Sequence, residues 1–214
     1  SVTFNKVVVA EVLAVEKHPQ ADRLNVCRVN VGAADNEPLQ IVCGAPNVQV
    51  GLKVPCALVG AKLSDMAIKK AKLRGVESSG MLCSAKELGL TDAVDGLLCL
   101  PDDAPVGTEF RSYYELEDQV FELSLTPNRA DCLGLLGVAR EVAAITGTGF
   151  SFEKVKPASC EISDTMAVEI VEPEACPLYC GRLVKEVDVS VTTPLWITQR
   201  LDRSGIRSIN AIVD

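Results

Sequence analysis

The sequence predicts a mixed β and α+β protein, in which a five-stranded β-barrel precedes a small α+β segment and the beginning of a second α+β domain. Short β-rich runs bounded by turn residues fill the first 84 residues, whereas the longest helix-like patterns come only after residue 130. The chain has 214 residues, of which 48% are hydrophobic and 23% are charged. This is room for one large or two small globular domains.

Five short runs are expected to be the strands of the barrel. The second, NVCRVNVG, alternates, so that Cys27, Val29 and Val31 should face one side and Val26, Arg28 and Asn30 the other. Gly75 and Gly80 interrupt the last run and indicate a bulge or a sharp bend. Short strands separated by loop signals favour a five-stranded Greek-key barrel. The runs cover residues 7–16, 25–32, 39–44, 53–60 and 72–83.

The segment after the barrel mixes short helical and extended patterns. AKELGL (85–90) reads as one helical turn, DGLLCLP (95–101) as an apolar strand, and FELSLTPN (121–128) as a strand that stops at Pro127. Asp131 is then expected to cap a helix that ends at Gly147.

That predicted helix runs from Cys132 to about Thr146, and its apolar positions form a wide stripe. Farther on, AVEIVEP (167–173) and YCGRLVKEVDVS (179–190) resemble two strands. A last helix is expected to have Thr193 as its cap, Pro194 in its first turn and Gly205 just past its end.

Charge is distributed unevenly along the chain, whose net charge is −8. Residues 1–84 carry ten Lys/Arg and seven Asp/Glu, whereas residues 85–176 carry six and eighteen. A mildly basic first module predicts weak, salt-sensitive binding to nucleic acid. No apolar run is long enough for a membrane helix, and no glycine-rich phosphate loop occurs. Since SVTFNK is not a basic segment followed by an apolar stretch, a signal peptide is not expected.

The nine cysteines do not form a ligand or disulfide pattern. No CxxC occurs, and Cys176 and Cys180 have neither a second pair nor a nearby histidine to complete a zinc site. Because several lie in apolar strand patterns and their number is odd, we expect reduced, buried thiols and a cytoplasmic location.

Two separated segments carry the strongest functional signal. They are HPQADRL (18–24) and KLRGVESSGMLCS (72–84). Lys72 and Arg74 are two residues apart, so that on a strand they would point to the same face. A cationic strand face on a small barrel is typical of modules that bind single-stranded nucleic acid. Both segments resemble the tRNA-binding oligonucleotide-fold module shared by several synthetase-associated proteins.

Three later segments narrow the resemblance to one family. TPNRADCLGLLGVARE (126–141), CPLYCGR (176–182) and SGIRSINAIVD (204–214) follow the module in the order found in β chains of bacterial phenylalanyl-tRNA synthetases. The resemblance covers essentially the whole chain. It implies an excised piece of a longer polypeptide in which the aminoacylation site, ATP and Mg²⁺ belong to the α2β2 holoenzyme and its α chain.

The resemblance also implies a division into three parts. Residues 1–111 would be the oligonucleotide-fold barrel with a C-terminal extension. Residues 112–164 would be a strand-helix connecting domain that lacks its N-terminal partner segment, which leaves the helix stripe exposed or covered by a neighbouring copy. Residues 165–214 would be the truncated start of an editing domain. On this basis the chain is expected to hold no catalytic and no metal-binding residue, and no cofactor of its own.

Eight residues are candidates for contact with tRNA, each with a structural alternative. Lys72 and Arg74 could equally protect a strand edge, and His18 could equally organise its loop. Ser78 and Asn47 could instead form hydrogen bonds with backbone groups. The candidates are His18, Arg23, Asn47, Lys62, Lys70, Lys72, Arg74 and Ser78.

A second polar cluster, Asn128, Arg129 and Asp131, is expected to be structural, with Arg129 bridging domains or subunits. A different class of function also stays open, a protein–protein docking module whose barrel does not bind RNA. The low aromatic content of 4% favours this alternative, since bases usually stack on aromatic side chains.

Overall fold

A computed structural model describes residues 4–32, 37–64, 66–90, 96–152 and 154–214. These residues divide into two compact units, unit 1 over residues 1–119 and unit 2 over residues 120–214. No helix in the described ranges has the length and apolar character needed to cross a bilayer.

Unit 1 is built on a nearly closed, five-stranded antiparallel barrel, which confirms the predicted fold class. Its strands are hydrogen-bonded in the order β3-β2-β1-β4-β7. The 18–24 loop joins β1 to β2, as predicted. The strands are β1 (Val7–Lys17), β2 (Asn25–Asn30), β3 (Leu39–Cys43), β4 (Lys53–Leu58) and β7 (Gly80–Leu82).

The last predicted strand is divided in three within the described residues. Two short strands, β5 (Ala71–Leu73) and β6 (Val76–Ser78), form a separate hairpin before β7. Arg74 and Gly75 are the two turn residues, with φ of +43° and +89°. Positive φ at both positions is the requirement of a type I′ turn, and the glycine meets it without steric cost. The bend predicted at Gly75 is therefore a complete reversal of the chain.

A backbone hydrogen bond and side-chain hydrogen bonds connect β3 to the β6–β7 segment where the ladder is interrupted. The Gln40 carbonyl accepts from Ser79 N (2.9 Å), and Gln40 Nε2 donates to the Glu77 carbonyl (2.9 Å). Ser78 is buried, and its Oγ accepts from Val42 N (3.0 Å) and donates to the Gly80 carbonyl (3.1 Å). This serine thus takes the place of a backbone pair in closing the barrel.

Ser78→Ala is expected to lower the free energy of unfolding of unit 1 by about 1–3 kcal/mol, because it leaves the Val42 N–H buried without its acceptor. Chemical denaturation would measure the change. Ser79→Ala is the matched control, since the Ser79 contact with Gln40 uses the backbone alone. Equal stability of the two variants would contradict this role of Ser78.

The barrel interior is apolar and follows the predicted alternation of β2. Cys27 and Val29 are fully buried, and Val31 is 9% exposed. Burial raises the pKa of the Cys27 thiol to about 11 and that of Cys56 to about 12, so both remain protonated hydrophobic side chains at neutral pH. All nine cysteines are free, but the prediction of a buried position was wrong for four of them, which are exposed: Cys99, Cys160, Cys176 and Cys180.

Residues 96–116, which we call the tail, complete the core of unit 1 on the outside of the barrel. Gly107 N donates to the Val9 carbonyl (2.8 Å), and Val9 N to the Thr108 carbonyl (2.9 Å). Gly32 has a φ of +71° and crosses Gly107 so closely that a Cβ on it would lie 2.5 Å from Gly107 Cα. The short helix α1 (Phe110–Tyr113) places the fully buried Phe110 ring against Phe4.

The helical turn predicted at residues 85–90 is present, whereas the strand predicted at residues 95–101 is shortened. AKELGL, just before the tail, forms the single turn expected, with Leu88 N donating to the Ser84 carbonyl (3.3 Å). The strand expected at 95–101 is reduced, in its described part, to one bridge between Leu100 and Lys53. Asp95 lies outside the described residues.

In its described residues, unit 2 contains a 3₁₀ segment, Pro127–Leu133, and two helices, α2 (Leu135–Thr146) and α3 (Leu195–Arg203). Asp131 does not cap α2, contrary to the prediction, because the 3₁₀ segment precedes the helix and Gly134 occupies the cap position. Gly147 ends α2 in the left-handed conformation, as predicted.

The start of α3 also differs from the prediction. Pro194 is the cap residue rather than the first helical one, and Thr193 Oγ1 donates to Asp214 Oδ2 (2.6 Å) rather than capping the helix. Gly205, with a φ of +73°, follows the cap residue Ser204 just past the end of the helix.

The strands predicted at 121–128, 167–173 and 179–190 are absent from the described residues of unit 2. A strand needs a neighbour for its backbone hydrogen bonds, and the extended patterns in this unit do not pair with one another. The apolar stripe predicted for α2 is exposed as well, with Val142 at 52% and Ile145 at 76% exposure.

Candidate nucleic-acid interface

His18, the only histidine of the sequence, connects the two segments that gave the strongest functional signal, residues 18–24 and 72–84. The His18 ring is 5% exposed, and its Nε2 lies 3.0 Å from the Leu73 carbonyl, 55 residues along the chain. Gln20 N donates to His18 Nδ1 (3.0 Å). Because Nδ1 accepts, Nε2 carries the proton and donates to Leu73. The 18–24 loop is thereby tied to the hairpin formed by β5 and β6.

Lys72 and Arg74 do not share a strand face, contrary to the prediction. Lys72 lies in β5, but Arg74 is the first residue of the type I′ turn, where strand alternation no longer applies. Both side chains are exposed. The hairpin therefore presents one cation on its strand and one at its tip.

A carboxylate lies among the cations of the hairpin. Glu77 is opposite Lys72 in the ladder, and its Oε2 accepts from Lys70 Nζ (2.9 Å). Hydrogen bonding to Lys70, with the charges of Lys70 and Lys72, lowers the pKa of Glu77 below its usual value. Since the Lys70 and Glu77 side chains are 60% and 58% exposed, the pair adds little stability, but it does neutralise part of the local positive charge.

Arg28 and Gln40 extend this surface and were not among the predicted contacts. Arg28 is exposed on β2, opposite Gln40 on β3, and Gln40 reaches the backbone of Glu77. Directly opposed residues of an antiparallel pair have neighbouring side chains. The outward position of Arg28 was available from the alternation of NVCRVNVG, but its connection to the hairpin was not. We call Arg28, Gln40, Lys70, Lys72, Arg74 and Glu77 the polar band.

Two predicted contacts have structural partners instead. Ser78 is buried and uses its hydroxyl to close the barrel. The Asn47 amide pairs with the backbone of Leu97, donating from Nδ2 to the carbonyl (3.0 Å) and accepting at Oδ1 from N–H (2.9 Å). Asn47 thereby attaches the tail to the barrel. Hydrogen bonding to backbone groups was the structural alternative to RNA contact for both residues.

The remaining predicted cations, Arg23 and Lys62, are exposed and do not belong to the polar band. Arg23 is part of the 18–24 loop, which closes through a bond from His18 N to the Leu24 carbonyl (3.1 Å). Lys62 pairs through its backbone with Asn5, donating from N to Oδ1 (2.8 Å).

The aromatic side chains of unit 1 all belong to the core. Phe4 and Phe110 are buried, and Tyr113 and Tyr114 pack against the same cluster. Nucleobases on the polar band would have no aromatic platform, so contact there would depend on cations and on the Arg guanidinium planes.

Arg129 is the centre of the second polar cluster, inside unit 2. It forms ion pairs with Asp131 (3.0 Å) and with Glu141 of α2 (2.7 Å). Hydrogen bonding to Arg129 lowers the pKa of Asp131 to about 2. Asn128 accepts a hydrogen bond from Thr126 Oγ1 (2.7 Å). The cluster fixes the 3₁₀ segment against the helix. Across the described ranges, no group of three or more His, Cys, Asp or Glu is arranged to hold a metal ion.

The barrel and its cationic hairpin match a known class of domain. Residues 7–109 match the family described as putative tRNA binding domain, and residues 175–214 match the B3/4 domain. A structure of a MetRS-related protein from Pyrococcus horikoshii is 28% identical, with a TM-score of 0.37. That match covers 50% of this chain and 88% of the other.

Comparison over the whole chain finds similarity to one kind of protein. The chain is 63% identical over 212 residues to the phenylalanine–tRNA ligase β subunit of Nitrosospira multiformis and 62% identical to that of Dechloromonas aromatica. In each case 99% of this chain is covered, but only 27% and 26% of the relative. Over 99% of its length the chain is similar to phenylalanine–tRNA ligase β subunits, in agreement with the resemblance that its sequence predicted, and it spans about a quarter of the length of these relatives.

Proposed function

We propose that this chain supplies a tRNA-binding barrel and assembly surfaces to a phenylalanine–tRNA ligase. The enzyme would be an α2β2 cytoplasmic ligase that joins phenylalanine to its tRNA with ATP and Mg²⁺. The aminoacylation site, with its ATP and Mg²⁺, would lie in the α chain. The chain itself would contribute binding and no catalytic group.

The polar band is the observation that carries the RNA-binding part of this proposal. It combines exposed Arg28 on β2 with exposed Lys70 and Lys72 at the start of the hairpin and Arg74 at its tip. Lys and Arg side chains neutralise phosphates and release counterions, which makes binding weaken with salt. The match of residues 7–109 to a putative tRNA binding domain supports the same role.

A docking module remains the second candidate, because one specific observation favours it. All four aromatic side chains of unit 1 are packed in the core, so the barrel offers no stacking platform of the usual kind. Docking through apolar contacts would be insensitive to salt, whereas binding through phosphate contacts would weaken as the salt concentration rises.

The division of the chain is also a proposal. We take residues 1–111 as the barrel with its extension, 112–164 as a connecting domain and 165–214 as the start of an editing domain. The exposed stripe of α2 supports a missing neighbour for the second part, and the match of residues 175–214 to the B3/4 domain supports a separate third part.

Glu77→Gln tests the electrostatic role of the polar band by a gain of binding. Removing this carboxylate frees Lys70 and makes the net charge more positive by one, so affinity for unmodified tRNA should rise about threefold to tenfold at about 50 mM salt. The slope of log K against log salt should become steeper by up to about 0.7–0.9. Fluorescence anisotropy with labelled tRNA would measure both.

Glu169→Gln is the matched control, since it makes the same charge change at an exposed position of unit 2. If both variants raise affinity equally, net charge and not the polar band governs binding. If the wild-type chain fails to bind tRNA even at low salt, the RNA-binding part of the proposal is wrong and the docking function is favoured.

A further inference from the structure

His18 is a buried titratable group that bridges the 18–24 loop and the hairpin. A buried polar ring is retained at low cost only when its nitrogens have partners, and both nitrogens of His18 do. One partner, Gln20 N–H, lies within the loop and serves its folding. The other, the Leu73 carbonyl, lies directly before the turn residue Arg74.

The hairpin has few other ties at this end. All three residues of β5 are exposed, and β5 pairs only with β6 in the described sheets. The Gln20 side chain is also near, with Oε1 3.9 Å from the position that a Cβ would take on Gly75. A two-stranded hairpin is marginally stable by itself, so its tip needs an external anchor to keep one position.

Resting on the proposed function, we propose that His18 is a positioning residue for tRNA binding, which holds the hairpin tip and Arg74 in place against the 18–24 loop. It does not contact RNA, because its ring is buried. Fixing Arg74 in advance removes the entropy that would be lost when a mobile cation is ordered on a phosphate.

Two substitutions separate the two hydrogen bonds of the ring. His18→Asn keeps a short acceptor for Gln20 N–H, as in an Asx turn, but cannot reach Leu73. His18→Gln is longer and keeps a donor for the Leu73 carbonyl. Both replace the ring by an amide, so each is the other's control for the reduced volume and for overall stability.

We expect His18→Asn to weaken binding of unmodified tRNA about threefold to tenfold at about 50 mM salt, and His18→Gln to bind within about twofold of the wild type. Arg74→Ala should weaken binding by a similar factor. In a double-mutant cycle, His18→Asn should have no further effect once Arg74 is alanine, because the anchor acts through that arginine. Fully additive effects would overturn the proposal.

Backbone relaxation of the Gly75 amide tests the anchor without RNA. Its order parameter should be about 0.85 in the wild type and in His18→Gln, and should fall toward about 0.6 in His18→Asn. An unchanged value in His18→Asn would overturn the anchor itself. If the wild type does not bind tRNA while the order parameters change as expected, it is the proposed function that fails, and the positioning role with it, although the anchor stands.

Discussion

Replacing Phe110 with alanine is expected to lower the free energy of unfolding of unit 1 by about 3–5 kcal/mol. The ring is fully buried, and its centroid lies 5.1 Å from that of Tyr114 and 6.1 Å from that of Phe4. Truncation would leave a cavity between the tail and the barrel, lined by side chains that cannot easily collapse. Since small domains are stable by only about 5–15 kcal/mol, the effect would be a large part of the total.

Native-state hydrogen exchange of amides in β1 and β4 would measure this change within unit 1 alone. Phe121→Ala is the matched control, because that ring is 77% exposed and its removal should change stability by less than about 0.5 kcal/mol. Equal protection of these amides in wild type and Phe110→Ala would mean that the tail is not part of the folded core.

The second large effect is expected from the two cations that the sequence singled out. Lys72→Ala combined with Arg74→Ala should weaken binding of unmodified tRNA about 10- to 100-fold at about 50 mM salt. For every phosphate that is no longer neutralised, the salt dependence should also become less steep by about 0.7–0.9. Both side chains are exposed, so the stability of the fold should change by no more than about 0.5 kcal/mol.

Lys154→Ala combined with Lys156→Ala is the matched control for charge. These lysines are also exposed and two residues apart, and their removal makes the same change in net charge in unit 2. This control variant should change tRNA affinity by less than about threefold if the barrel makes the phosphate contacts.

Local sequence patterns were sufficient for much of the barrel. The alternation of NVCRVNVG placed Cys27 and Val29 on the face opposite to Arg28, because a half-buried strand has a period of two, and in the structure the first two are buried and Arg28 is exposed. Glycine marked the reversal at Gly75 and the end of α2 at Gly147, where positive φ is required. These features depend on neighbouring residues only.

Features that depend on distant contacts could not be obtained in this way. The alternation expected of a strand placed Arg74 on the same face as Lys72. In the structure β5 pairs with β6, and Arg74 therefore lies in the turn between them. The bond from His18 to Leu73 spans 55 residues, and no local pattern indicates it. Ser78 showed both a functional and a structural alternative, which only its burial separates. The predicted strands of unit 2 failed for a similar reason, because a strand requires a partner that local pattern does not supply.

RNA contact at the polar band is tested most directly by a tRNA titration of the wild-type chain and of the Lys72/Arg74 double alanine variant across a series of salt concentrations. We expect measurable binding at low salt, a steep decrease of affinity with salt in the wild type, and a weaker and flatter dependence in the variant. Absence of binding at low salt, or identical curves for the two proteins, would contradict the assignment of RNA contact to the polar band.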